Sequence, residues 1–397
     1  MGRPAAGPPT GGDSADDALG ADAVDASAER DDAQGHTEAD GGRDRDAVEA
    51  LLHSGGERLR ERMARIELYL ERVTATAGAP LAEHASATIM AGGKRLRPLL
   101  VVLAAEAVAG PEPDAVDAAA EEHLTRAAAA VELVHSATLV HDDVIDLAPL
   151  RRGNPTVLAG AGRQTAIATG DLLFSRAFAE LARNEDPAQL RALSDASLAL
   201  AAGELLQRED AYAPRVALQR YLRRCELKTA SLFEAACRLG SLVAAGSGPA
   251  MGAGGATGAA GFDAAADLAD ALGLFARRIG LAFQILDDVL DVSGPVERTG
   301  KARGTDLLDG TVTLPLIIAR ERDATLARVD LRGLRDAGAQ GAEEICDRIA
   351  ATGAPGAARE RALAFVAEAK TALPESLPGD RAAPLEAVAD AVVERYS

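Results

Sequence analysis

The chain has no tryptophan, and aromatic residues make up only 3% of it. Its core must therefore be aliphatic, and the dominance of Ala and Leu favours helix over sheet. Cysteine is scarce: Cys225, Cys237 and Cys346 show neither an even disulfide set nor a metal-ligand spacing. That excludes a disulfide scaffold and fits a reducing cytosol. Positive charge is also short, with 42 Lys and Arg against 61 Asp and Glu, a net charge of −19. Such a balance argues against nucleic acid as a partner, because counterion release needs a basic footprint. No long apolar run is present. The longest, LLVVLAAEAVAG from Leu99, is too short to span a bilayer and carries Glu106. The N-terminus has no apolar signal segment, so a soluble cytoplasmic protein is expected. Period-two alternation is scarce, which leaves little room for strands.

What is present is hydrophobic material, 48% of the chain, arranged with helical periodicity. Residues 1–46 are the exception. They are rich in Gly, Ala, Asp and Pro and hold almost no large apolar residue, so a disordered tail is expected there. From residue 47 to 397 the pattern predicts one large all-α domain. LRERMARIELYLERV spaces apolar residues by three and four. Further helices are expected near 80–90, 97–109, 114–147, 163–182, 187–207, 215–243, 263–293, 311–321, 341–351, 355–371 and 383–395. The glycine-rich stretch from Ala244 to Gly261 reads as a flexible loop between helices.

Two aspartate clusters carry the chemistry: Asp142-Asp143-x-x-Asp146 and Asp287-Asp288-x-x-Asp291, 145 residues apart and each within an apolar stretch. Residues i and i+4 of a helix share a face, so Asp142 with Asp146, and Asp287 with Asp291, make carboxylate pairs. A lone cluster of this kind is usually a solvated acidic face. Two in apolar surroundings point to hard divalent cations, since Mg²⁺ takes a few carboxylates and leaves positions for water and phosphate. Two clusters across one cavity would hold a diphosphate ester.

Basic residues complete this reading. Gly92-Gly93-Lys94-Arg95-Leu96-Arg97-Pro98 opens a helix, which sets Lys94 and Arg97 at an N-terminus that favours anions. Arg151 and Arg152 follow the first cluster, and guanidinium groups bind phosphate bidentately. His135 lies almost two turns before Asp142 on the same face, placed to reach a phosphate. His141 reads as a satisfied packing residue. Lys228-Thr229 interrupts a largely apolar helix, Gln284 precedes Asp287 by three residues, and Lys301 sits in a glycine-bearing loop, TGKARGTD.

In order along the chain, GGKRLRP, HDDVIDLAPLRRGNPT, KTASLFEAA, FQILDDVLD, GKARGTDL and TLP resemble the trans-isoprenyl (polyprenyl) diphosphate synthase family, over about residues 50–397. The resemblance implies the isoprenoid synthase fold, an all-α bundle around a central cavity, in a homodimer. It implies head-to-tail condensation of isopentenyl diphosphate onto an allylic diphosphate. Asp142, Asp143, Asp146, Asp287, Asp288 and Asp291 would hold about three Mg²⁺ ions around the allylic diphosphate. Arg151, Lys228, Gln284 and Lys301 match positions that contact that diphosphate, with Thr229 beside them in the catalytic set. Lys94, Arg97, His135 and Arg152 match the isopentenyl diphosphate site. Thr311 departs from the family, many of whose members carry a further lysine there.

The same resemblance bears on product length. Ala137 and Thr138, five and four residues before Asp142, would line the tunnel that receives the growing chain, where short-chain members carry bulky aromatics. Both are small, so a product of about C30 to C50, of the kind that becomes a quinone side chain, is expected from the open helix face. Leu133, Val134 or Phe174 closing the tunnel sooner would give a C20 product. Transient membrane contact is expected where so apolar a product leaves. A terpene cyclase would not need the second diphosphate site that Lys94, Arg97 and Arg152 supply. A regulatory subunit of a heteromeric synthase would tend to lose the aspartates, and all six are present.

Overall fold

Periodic Ala- and Leu-rich runs fold here as helices that bury their apolar stripes against one another. The computed structural model describes residues 55–76, 78–109, 117–151, 153–246, 259–294 and 303–394, with the isolated positions 2 and 52. The tail expected over 1–46 lies outside the described residues, Gly2 apart. All elements below belong to one unit, Asp40–Ser397.

The helices are α1 (Gly56–Ala75), α2 (Leu81–Met90), α3 (Leu96–Ala109), α4 (Ala118–Asp146), the short α5 (Val157–Ala161), α6 (Arg163–Ala182) and α7 (Pro187–Asp210). Then come α8 (Leu218–Cys225), a π-helical turn (Glu226–Ala230) that runs directly into α9 (Ser231–Gly246), and the long α10 (Ala259–Ser293). The short α11 (Thr305–Leu308), α12 (Leu314–Arg322), α13 (Leu331–Ala351), α14 (Ala354–Ala372) and α15 (Gly379–Glu394) complete the order. A hairpin of two-residue strands, β1 (Leu150–Arg151) and β2 (Asn154–Pro155), is the sheet content among the described residues.

The centre is α3, α4, α9 and α10. α3 is apolar nearly all round and buried from Pro98 to Ala105, as a helix in the middle of a bundle must be. α4 packs most extensively on α6, α9 on α3, and α10 on α14. Charged ties fix α1 to this centre: Arg62 donates Nη1 to Glu106 (2.7 Å) and Nε to Glu121 (3.0 Å).

The long helices lie within a few residues of where periodicity expects them, with three larger differences, and the short helices α5 and α11 were not expected. The expected loop at Ala244–Gly261 is helical at both ends, to Gly246 and from Ala259, and its middle lies outside the described residues. The helix expected at 341–351 begins at Leu331, because Gly338 (φ +66°) kinks it and interrupts its apolar pattern. The run expected at 215–243 is continuous but contains the π turn.

Candidate active site

The last turn of α4 carries the first cluster, with Asp142 half-buried, Asp143 buried and Asp146 exposed. Leu147 in the left-handed region ends the helix, and the β1–β2 hairpin turns the chain back at Gly153 (φ +77°). That return lays Arg151 on Asp143, with Nε at 2.8 Å and Nη2 at 2.7 Å from Oδ1. Asp146 accepts Nη2 of Arg208 from α7 at 2.5 Å. Asp142 Oδ2 lies 3.7 Å from Nζ of Lys228. Glu204 ties the two cations together, pairing with Lys228 and accepting Nε of Arg208 at 2.7 Å.

On α10 the second cluster has Asp287 exposed, Asp288 buried and Asp291 half-buried. Asp288 accepts the hydroxyl of Tyr221 (2.7 Å) and Nε2 of Gln284 (2.9 Å). Gln284 in turn accepts the hydroxyl of Thr229 at 2.7 Å. Asp291 receives the backbone N–H of Asp306 at 3.3 Å, and its carbonyl receives that of Gly304 at 2.9 Å.

The two clusters are therefore joined through one segment. Lys228 and Thr229 are neighbours on the π turn: Lys228 lies against Asp142 of the first cluster, and Thr229 donates to Gln284, which donates to Asp288 of the second. A single-turn π segment inside an α-helix is a frequent feature of functional sites, since its extra residue re-aims side chains. Glycines let the neighbouring helices close on it. A Cβ at Gly203 of α7 would sit 2.6 Å from the Lys228 nitrogen, and one at Gly280 of α10 would sit 2.6 Å from the Ala230 Cα.

Four of these carboxyl groups, Asp142, Asp288, Asp291 and Asp306, hold their protons more tightly than usual. Burial pushes Asp142 up to about 6, with Lys228 opposing and Glu204 and Asp146 adding to it. Burial likewise pushes Asp288 up to about 6 against the hydrogen bonds of Tyr221 and Gln284. Asp291 rises to about 7, from burial and the charges of Asp288 and Asp287. Asp306 rises well above the ordinary range for the same reasons. Lys228 stays protonated, since Asp142 and Glu204 outweigh the effect of its burial. Crowded, half-buried carboxylates of this kind are an all-oxygen donor set of the type that hard divalent cations take. Among the described residues no three such side chains converge on one point. Several are instead engaged by Arg151, Arg208, Lys228, Tyr221 and Gln284, so the donor set fits a divalent cation in chemistry once those contacts yield.

The glycine-flanked basic segment lies at the start of α3. Lys94 and Arg97 are half-buried, and the Arg97 guanidinium lies 4.7 Å over the ring of Phe233. His135 is half-buried on α4. Ala137 is fully buried in the core, whereas Thr138 is half-buried and donates its hydroxyl to the His135 carbonyl at 2.7 Å. Arg152 and Lys301 lie outside the described residues. His141 is the packing residue expected: Nε2 is 3.4 Å from Asp171 Oδ1, and the ring stacks on Phe174 at 5.9 Å. Gly170 lies directly beneath it, where a Cβ would meet the imidazole.

Four members of the network are not among the residues picked out from sequence: Glu204, Arg208, Tyr221 and Asp306. Glu204 and Arg208 have i, i+4 spacing in GELLQRED, which is equally the pattern of a solvated helix face. Asp306 lies within the GKARGTDL motif, and that membership was its one signal.

Residues 79–347 match the polyprenyl synthetase family. The chain is 37% identical to heptaprenyl diphosphate synthase component 2 of Geobacillus stearothermophilus, over 68% of this chain and 76% of that one. It is 34% identical to a geranylgeranyl diphosphate synthase of Methanosarcina mazei, over 71% and 80%. Its fold superposes on the crystal structure of a Caulobacter crescentus polyprenyl synthase complexed with calcium and isoprenyl diphosphate. That match has a TM-score of 0.75 at 32% identity and covers 88% of this chain and 98% of that one. The expectation of an all-α isoprenoid synthase fold is met, and the chain belongs to the polyprenyl synthetase family.

Proposed function

We propose that this chain is a prenyltransferase that condenses isopentenyl diphosphate onto an allylic diphosphate, farnesyl or geranylgeranyl, to a product of about C30 to C50, set by the depth of its cavity. The observation that carries the reading is the π turn, whose adjacent residues Lys228 and Thr229 connect to both aspartate clusters, the first directly and the second through Gln284. A single diphosphate can be held between them.

Asp142, Asp143, Asp146, Asp287, Asp288 and Asp291 would hold the metal, about three Mg²⁺ ions as the family resemblance implies, since such ions take a few carboxylates and leave positions for phosphate. Bound metal supplies positive charge that stabilises the departing pyrophosphate. Arg151 and Lys228, with Lys301, neutralise the same charge from the protein side. Gln284, Thr229 and Tyr221 keep the Asp288 carboxylate oriented. Lys94, Arg97, His135 and Arg152 hold isopentenyl diphosphate beside the allylic carbon. The allylic C–O bond breaks with its electron pair going to pyrophosphate. The isopentenyl double bond then attacks the allylic carbon, and the released pyrophosphate takes the proton. Orientation and preorganised charge carry the rate.

The long product is supported by the small Thr138, half-buried one turn before Asp142 on the same face of α4; Ala137, packed in the core, adds no such support. A C20 product has the support of the Methanosarcina relative. A second copy is the proposed partner for α7, which exposes Leu198, Ala201, Ala202 and Leu205 in one stripe, the two leucines at 68% and 66%. The name of the Geobacillus relative, a "component 2", favours testing a heteromeric partner as well.

The test is incubation of purified protein with isopentenyl diphosphate, farnesyl diphosphate and Mg²⁺, with product length read by mass spectrometry. Products at or beyond about C30 support the open cavity. A stop at geranylgeranyl length overturns the long product and keeps the chemistry. No elongation of any primer supports the regulatory-subunit reading.

A further inference from the structure

Between Lys94 and Arg97 stands a residue with a different task. Arg95 has φ +48°, a left-handed conformation that side chains bearing a Cβ rarely adopt. Its carbonyl accepts the N–H of Leu99 at 2.9 Å, so this strained residue also starts α3. Its side chain is only 9% exposed. Nε and Nη2 donate to the two oxygens of Glu67 on α1, at 2.6 and 3.1 Å. Nη2 also donates to the Ile89 carbonyl of α2 at 2.8 Å. Nη1 donates to Glu132 of α4 at 2.8 Å.

These bonds leave the guanidinium no geometry for a phosphate. They do something else. Glu132 is buried and lies less than one turn before His135. One side chain thus ties the segment bearing Lys94 and Arg97 to the helix bearing His135. Strained backbone persists only where its surroundings over-determine it, and such strain gathers at ligand clamps. We propose that Arg95 is a positioning residue for the isopentenyl diphosphate subsite, holding Lys94 and Arg97 against α4 so that they converge with His135 on one diphosphate. The inference rests on the prenyltransferase reading above. A lysine, as a point charge on a flexible stem, cannot hold Glu67, Glu132 and Ile89 together.

The experiment compares wild-type protein with Arg95→Lys and Arg95→Gly in steady-state elongation, varying isopentenyl and farnesyl diphosphate separately. Glycine accepts the positive φ, so Arg95→Gly separates loss of the ties from backbone strain. The expected result in both variants is a rise of about tenfold in KM for isopentenyl diphosphate, equivalent to about 1.4 kcal/mol. KM for farnesyl diphosphate, and Mg²⁺-dependent pyrophosphate release from it without isopentenyl diphosphate, should stay within about twofold, a small change on that scale. Should both variants fail to fold, Glu67→Gln, which loosens one partner on the exposed side, should shift KM in the same direction by less. An equal rise in both KM values, or a lowered Tm with KM for isopentenyl diphosphate unchanged, overturns the inference and leaves the prenyltransferase reading intact. Wild-type protein that elongates no primer overturns the reading, and this inference with it.

Discussion

Tyr221 is fully buried and gives its hydroxyl to Asp288, a carboxyl equally removed from water. Tyr221→Phe keeps the ring and deletes the donor, so Asp288 keeps Gln284 as its side-chain donor. The expected cost is about 1–3 kcal/mol of stability, as for any buried group losing a partner, read by urea unfolding. Of the side chains in this network, the aspartates were legible because carboxylates in apolar stretches contradict their surroundings. Lys228 was legible for the same reason. Tyr221 was not, since a tyrosine within a helical run ordinarily reads as packing. Glu204 and Arg208 were hidden for the opposite reason, because their spacing satisfies a bland rule for exposed helices and only the fold reveals that the face is turned toward Asp142 and Asp146.

Gly203 shows how one element depends on another. A methyl group there would meet the Lys228 backbone at 2.6 Å, and backbone has no rotamer by which to yield. Gly203→Ala should therefore cost about 1–3 kcal/mol, as overpacking does, and should depress elongation by displacing Lys228 from Asp142. Unfolding curves and elongation rates check the two halves. Farther from the site, Asp323 closes the end of α12. It accepts Nε of Arg348 at 2.7 Å and the N–H of Thr325 at 2.7 Å. The Arg348 bond first, and the Thr325 bond after it, hold its pKa down to about 2. A depressed folded pKa stabilises above the unfolded value, about 4, and that contribution fades as pH falls toward the folded one. Asp323→Asn should thus lower Tm at pH 7, with the gap to wild type closing between about pH 4 and pH 2. Periodicity located the long helices because burial on one face repeats over several turns. It could not locate the β1–β2 hairpin, whose two-residue strands are too short to alternate, nor the π turn, which has no local pattern.

For the molecule as a whole, the exposed stripe on α7 predicts association. Leu198→Glu should shift the protein from dimer to monomer in light scattering after size exclusion, if a second copy covers that face. All three cysteines are buried, and burial pushes Cys225 and Cys346 up to about 12. Ellman's reagent should react with them only as the protein unfolds, at the unfolding rate. The bundle was legible as all-α from composition and periodicity together. The way its helices are tied to one another was not, because contacts such as Arg95 to Glu132 join residues that sequence spacing does not relate.

The π turn holds one residue more than a regular helical turn and absorbs it locally, so α8 and α9 on either side keep nearly the same helical phase. Removing one residue from Glu226–Ala230 would restore a regular helix and leave Tyr221 on Asp288 and Phe233 in the core. The loss would be confined to the turn, where Lys228 and Thr229 could no longer both keep their directions toward Asp142 and Gln284. The chain would still fold as a helical bundle, with its helices in register and its central pair of contacts broken, which makes this turn a place where length is less forgiving than sequence.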